Sequence, residues 1–337
     1  MVGARTVTAA LTAILLAGSP VAAGPLPPAN TGHFYVSSFE SDDIVVYDSS
    51  GDVLRRFSDP EINGPRGIVI GPQGRIFVAA QKSDAVIVFD ADESYIATYT
   101  HPELDGPTGL ALGPGMVLYA CSYENHRIVA FGPDGEMVGS FTAGDLRNPT
   151  CIVVTGGLIH VAGAAQPWIF RFDTDGTPRR PITVDGLVSP AGMAMARGRL
   201  YVADERTGRI LILDGDGTVK GEVAHRYLHG PRGMAFDDRG HLLVSSCYGH
   251  LIVEFDRSGG YVRTIGGGKL GFPDGVAFSS MRVGDVDDDG HVGLEDFGSV
   301  IAQWGDCPSA PAACPSDVNH SGSVDLSDLF TLLANWD

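Results

Sequence analysis

Positive charge is scarce in this chain. Its 337 residues hold 23 Lys and Arg against 41 Asp and Glu, a formal net charge of −18. A protein that grips nucleic acid needs a basic face to neutralise phosphates, so that class of partner is excluded. From Gly284 onward there are eleven Asp/Glu and no Lys/Arg. Subtracting those eleven charges leaves −7 for everything before Gly284, so the acidity is concentrated in the tail.

Long apolar runs are missing too, with one exception at the N-terminus. Arg5 precedes the apolar stretch Val7 to Ala17, and Val21-Ala22-Ala23 supplies small residues at a cleavage position. Residues 1–23 therefore read as a secretory signal, too short for a stable membrane span. The expectation is a secreted, extracellular protein starting near Gly24, with no membrane span. Export permits disulfides, and there are only five cysteines. Cys307 and Cys314, flanked by prolines, are expected to form a local bridge. Cys121 and Cys151 either pair or serve, like Cys247, as small buried hydrophobes.

What the chain has in abundance is turn-forming residues, Gly 45 and Pro 21, which suits an all-β protein. They recur in order. Gly64-Pro65-Arg66-Gly67 returns at Gly106-Pro107-Thr108-Gly109, Asn148-Pro149-Thr150-Cys151, Ser189-Pro190-Ala191-Gly192, Gly230-Pro231-Arg232-Gly233 and Phe272-Pro273-Asp274-Gly275. The prolines step by 41 or 42 residues, which signals a repeat architecture. Each unit continues with an apolar strand such as Arg75 to Val78, then a third such as Ile210 to Leu213, then a more polar fourth such as Val53 to Phe57. Four short strands per 40-odd residues is the pattern of a propeller blade. The unit from Asn30 to Asn63 lacks an inner strand, and Phe272 to Phe278 is an inner strand with nothing after it. Joined, they make the sixth blade and remove two exposed sheet edges. The fold class expected for residues 30–280 is thus an all-β, six-bladed β-propeller. The GPxG starts, the G-x-Φ-Φ-V strand and the R-I-Φ-Φ-Φ-D strand of Gly198 to Asp214 resemble NHL repeats, a family that includes both binding modules and enzymes.

The tail, residues 284–337, carries two loops with calcium-ligand spacing. Asp285-Val286-Asp287-Asp288-Asp289-Gly290-His291 runs on to Asp296, and Asp317-Val318-Asn319-His320-Ser321-Gly322-Ser323 runs on to Asp328. Oxygen ligands at positions 1, 3, 5 and 12 with glycine at 6 converge on one hard cation. Each loop leads into an amphipathic segment ending in Trp304 or Trp336. Asp at position 12 and the tandem arrangement resemble a type I dockerin, a small α-helical calcium-loop domain. The resemblance implies two calcium sites. The first uses Asp285, Asp287, Asp289, the His291 carbonyl and Asp296. The second uses Asp317, Asn319, Ser321, the Ser323 carbonyl, Asp325 and Asp328. It also implies a cohesin-like or other docking protein as partner. The hydroxyl pair that usually contacts cohesin is replaced by Leu294-Glu295 and Leu326-Ser327.

On the propeller the residue after each proline should ring one mouth: Arg66, Thr108, Thr150, Ala191, Arg232 and Asp274. The closing strand puts Asp274 between Arg66 and Arg232, a cluster for a carboxylate or sugar ligand or a structural ion network. Adjoining loops add Lys82, Glu124, His126, Glu205 and His250. His126 and His250 fall three blades apart, and His160 falls in a core column. No Ser/His/Asp set or pair of carboxylates stands at a spacing that specifies catalysis, so the catalytic residues stay unassigned and the chain is not committed to being an enzyme. The main expectation is a ligand- or protein-binding propeller tethered through the calcium-dependent dockerin. The alternative is an extracellular lyase or hydrolase acting on carbohydrate or lactone, in polysaccharide breakdown.

Overall fold

Six proline-led repeats become six four-stranded antiparallel sheets in the computed structural model. It describes residues 32–164, 166–279, 294–302 and 304–306, together with 323–326, 328, 329 and 332. The expected signal segment, Cys307, Cys314 and the ligand positions Asp285, Asp287, Asp289, His291, Asp317, Asn319 and Ser321 lie outside those residues.

The first blade is closed as expected: Pro273–Ser279 pairs antiparallel with His33–Ser38, followed outward by Asp43–Tyr47 and Val53–Phe57. The second blade is Pro65–Ile70, Ile76–Ala80, Ala85–Phe89 and Tyr95–Thr100. In the sixth, Pro231–Phe236 is innermost, then Leu242–Ser246, Leu251–Phe255 and Tyr261–Ile265. Proline begins every inner strand, where its missing N–H interrupts no ladder.

The core is not one lump but six buried clusters, one at each seam between neighbouring blades. The sixth joins Leu243 and Ile252 of the last blade to Phe34 and Tyr47 of the first, so the ring is shut. Middle strands such as Ala85–Phe89 are buried at every position because both faces meet a neighbour. Truncating a fully buried Ile87 or Phe172 there would cost about 2–5 kcal/mol.

Close approach of the inner strands explains the second glycine of the signature. A Cβ on Gly233 would sit 2.2 Å from the Asp274 carbonyl, and one on Gly275 2.3 Å from the Arg66 carbonyl. Neighbouring blades touch there backbone to backbone. Cys151 takes the equivalent place in the fourth blade.

Of the two expectations for Cys121 and Cys151, the structure takes the unpaired one. Cys121 packs with Ile152 in the seam between the third and fourth blades, and Cys151 with Met193 and Val202 in the next seam. With the two placed in different seams, no bond forms. Cys121, Cys151 and Cys247 are all free and buried, as small hydrophobes would be.

In the tail, a helix runs over Leu294–Ala302, and Gly305–Asp306 pairs with Ser323–Val324. Val300, Val324 and Leu332 are buried together, with Phe297 and Leu329 against them. Asp328 is fully buried and its Oδ2 accepts the Asp325 amide at 2.8 Å, a carboxylate reaching back to the start of a helical turn. These described residues do not by themselves amount to an α-helical calcium-loop domain.

Candidate functional site

Inner strands all start at one face of the ring, so the residue after each proline reaches the same mouth. Blades one, two and six supply charge there. Arg66 Nη1 donates to Asp274 Oδ2 at 2.6 Å, and Arg232 Nη1 donates to the same oxygen at 2.8 Å. Arg232 Nη2 then reaches Glu205 Oε1 at 2.8 Å, and the Tyr248 hydroxyl donates to that oxygen at 2.5 Å. Arg66 Nε donates to Gln81 Oε1 at 2.8 Å. The structure thus gathers Arg66, Arg232, Asp274 and Glu205 into one chain of contacts.

Local structure positions each member. Ser37 Oγ, on the second strand of the first blade, holds the Arg66 carbonyl at 2.5 Å and takes the Gly275 amide at 2.7 Å. Ser245 Oγ does the same for the Asp274 carbonyl at 2.6 Å. Tyr248 lies on the short turn Cys247–Gly249, its ring over Gly230, where a Cβ would lie 2.4 Å away. Its side chain stays open to solvent at 54%. At the other half of the mouth, Thr108 and Thr150 spend their hydroxyls on the Pro149 and Pro190 carbonyls. Those two hydroxyls are satisfied, and the expected loop residue Glu124 stands exposed beside Gly106 in the third blade.

Electrostatics keep the open half ionised. Burial alone would raise the Asp274 carboxyl, but Arg66 and Arg232 outweigh it and hold the group below its ordinary value. Burial likewise opposes the Arg232 charge, and Asp274 and Glu205 more than restore it. The hydrogen bond to Glu205, ahead of burial, raises the Tyr248 phenol, so it stays protonated at neutral pH. Cys247, beside Arg232, is pushed up to about 11 by burial, which leaves a thiol rather than a nucleophilic thiolate.

His126 and His250 stay out of this cluster. Both sit at positive φ, 64° and 55°, with Nδ1 facing the amides of Asn148 at 3.1 Å and Phe272 at 3.3 Å. Asp42 and Asp84 occupy the same column and accept from Gly64 at 2.7 Å and Gly106 at 2.8 Å. In every case the acceptor stands 22 residues before the amide that it holds, just ahead of the next inner proline. These side chains stitch blade to blade. The regular spacing was present in the sequence, whereas nothing there marked Tyr248, Gln81 or Phe39 as members of the mouth.

A second polar cluster lies at the far end of the same inner strand, roughly 17 Å from Arg232 at about 3.4 Å per residue. Asp237, His241 and Glu254 bring ligand atoms within 4.8 Å of one another, so they could coordinate a metal ion. Arginines already occupy it. Arg239 donates to Asp237 Oδ2 at 2.7 Å and Glu254 Oε1 at 3.1 Å, His241 Nδ1 lies 2.7 Å from Glu254 Oε1, and Arg263 Nε donates to Glu254 Oε2 at 2.6 Å. Two guanidiniums neutralise two carboxylates, and nothing in the set specifies calcium. The sequence did not single out this cluster because Asp237 and His241 belong to the turn after the inner strand and Glu254 to the third strand.

Two surface clefts of 560 and 340 Å³ lie on the outer seam between the second and third blades, lined by Asp84, His101 and Asp105 and by Tyr99, Asp134 and Met137. They hold none of the mouth residues. Among the described residues no helix is long and apolar enough to cross a membrane.

No family model matches the chain, and no curated relative does. Solved structures do. A streptogramin B lyase superposes with TM-score 0.56 at 14% identity, covering 71% of this chain and 84% of that one. A catalytically inactive virginiamycin B lyase from Staphylococcus aureus with quinupristin gives 0.58 at 14%, covering 75% and 93%. A nidogen/laminin complex gives 0.64 at 17%, covering 74% and 98%. Likeness at this identity establishes the fold. The reading of the propeller as a binding and tethering module alone is corrected: lyases share its architecture, and a His/Asp/Glu cluster accompanies the charged mouth. The chain is a six-bladed β-propeller, a fold found in lyases and in a nidogen/laminin complex alike.

Proposed function

We propose that this protein is an extracellular lyase or hydrolase acting on a carbohydrate or lactone, with the propeller mouth as its reaction site. The observation that carries this reading is the Tyr248–Glu205 contact at 2.5 Å, held beside the ionised Arg66–Asp274–Arg232 set. The exposed phenol is protonated, and its one O–H, held on Glu205 at rest, can pass its proton to a leaving oxygen that takes the place of Glu205 as acceptor. Asp274 directs one oxygen to both arginines, and its Oδ1 has no hydrogen-bond partner among the described residues, leaving it available as a base. Arg66 and Arg232 supply positive charge where an enolate or oxyanion would develop. Abstraction of a proton next to a carbonyl and departure of a neighbouring oxygen would make the reaction an elimination. Activation of water by the same carboxylate would make it a hydrolysis.

The test offers the full chain a panel of lactones, neutral oligosaccharides and acidic oligosaccharides. New carbon–carbon double bonds in the product identify a lyase, and new reducing ends or acid release without them identify a hydrolase. Tyr248→Phe should lower turnover by about 10²–10⁴-fold with the fold intact. Full activity in that variant, or no product from any class, overturns the reading.

The NHL-repeat likeness of residues 30–280 and the dockerin-like spacing of residues 284–337 support delivery of the enzyme by its tail. In this reading the tail binds two calcium ions and a cohesin-like or other partner, after export directed by residues 1–23. Ser323, Asp325 and Asp328 lie close in sequence around the second loop's end. Metal binding and folding are coupled in small modules, so EDTA should make the tail protease-sensitive and leave the propeller intact. An unchanged digestion pattern removes the calcium assignment.

A further inference from the structure

We infer that the substrate's recognised unit is an acidic sugar, its anionic group seated on Arg66 and Lys82 at the open half of the mouth. The inference rests on the mouth being where substrate binds. It starts from two cations on one aromatic ring: Arg66 Cζ lies 4.3 Å and Lys82 Nζ 4.5 Å from the Phe39 ring centroid. Cation–π attraction offsets only part of the repulsion between such neighbours.

Lys82 is exposed and has no carboxylate within 4.0 Å among the described residues. Arg66 commits Nε to Gln81 and Nη1 to Asp274, and its Nη2 has no hydrogen-bond partner among them. Arg66 and Arg232 share Asp274, and Arg232 also meets Glu205. The exposed Glu40 and Glu124 hold the loop positions that match Lys82 in the first and third blades, yet neither pairs with it within 4.0 Å. The equivalent Thr108 and Thr150 of the third and fourth blades have their hydroxyls spent on backbone carbonyls, so at this inner-strand position charge stands on the first, second and sixth blades. A guanidinium edge beside an ammonium presents donors and charge to a carboxylate or a sulfate ester, two anionic groups that sugars carry. Phe39, beneath both cations, limits where they can move.

Calorimetric titration of the full chain would compare a galacturonate oligomer, a sulfated galactose oligomer and the neutral galactose oligomer. At low ionic strength an acidic oligomer should bind about tenfold more tightly than the neutral one, and high salt should narrow the gap. The tighter of the two acidic ligands identifies the group as carboxylate or sulfate. Lys82→Met should erase the preference, and Lys82→Arg should restore it. Equal affinity for acidic and neutral ligands, a preference surviving in Lys82→Met, or no binding of either acidic oligomer overturns the inference. Because binding is read without turnover, the two proposals fail separately. Product formed with charge-blind binding removes this inference alone. Acid-selective binding without product removes the enzyme reading alone.

Discussion

The sixth blade carries a polar cluster at each end of its inner strand, and the two are built differently. Around Glu254 the carboxylate oxygens are all taken: Glu254 is 1% exposed and meets Arg239, His241 and Arg263, and Arg263 reaches on to the Ser49 carbonyl of the first blade at 2.6 Å. Around Asp274 the pairing is incomplete: Tyr248 stands open to solvent, Asp274 keeps a free oxygen, and Lys82 has no acidic partner among the described residues. Both clusters contain arginines and carboxylates in like proportion. The difference teaches that charge alone does not mark a site. A network whose carboxylate oxygens are all taken resists ligands, whereas one with a vacant acceptor at an open face can exchange partners during a reaction.

The largest effect that would break this comparison is expected at Glu254. Glu254→Gln removes a buried charge from between two guanidiniums and should cost about 3–5 kcal/mol of stability. Urea denaturation reads that cost, and turnover per folded molecule should hold steady. A loss of turnover with stability intact would move the reaction site to the far end of the strand.

Acid should act next, and on neither cluster first. Burial lowers His33 to about 4, as it does His160, with nearby Arg55 and Arg171 adding to the shift. An unfolded histidine takes its proton near 6.5. Below that pH the unfolded state binds more protons than the folded one, so stability falls as pH drops from about 6.5 towards 4 and then levels off for these groups. Each contributes at most about 3 kcal/mol. Denaturation midpoints at pH 7, 5.5 and 4 would trace the loss, and His160→Phe should flatten the slope. A midpoint indifferent to pH across that window would contradict the burial.

Asp274→Asn comes third in stability and first in consequence. Its carboxylate is 16% exposed, so the loss of charge should cost only about 1–2 kcal/mol, while turnover collapses. Equal damage to stability and turnover at both clusters would erase the distinction between them. The smallest expected effect is that of Lys82→Met on folding, within about 0.5 kcal/mol, read as an unchanged melting temperature.

Much of the architecture was legible because repeats write their geometry redundantly. Six prolines at 41- or 42-residue steps, with an inner strand stranded after the last complete unit, specified the blade count and the closure through Pro273–Ser279. The same period placed Asp274 between two arginines. His126 and His250 were harder to interpret: a histidine at a loop end suggests a ligand, and only the positive φ and the amide beyond each one reveal the role shared with Asp42 and Asp84. Cys121 and Cys151 stand on neighbouring repeats, where pairing and separate burial were both open, and the structure puts them in different seams.

The sequence by itself determined the ring: strand alternation, proline-led starts and glycine contacts leave one way to bury both faces of every blade. Only the tertiary structure decided which polar groups are spent and which remain available. Tyr248, Glu205, Arg232 and Asp274 come from three different blades. Their distances depend on blade-to-blade packing, a quantity that no spacing along the chain encodes.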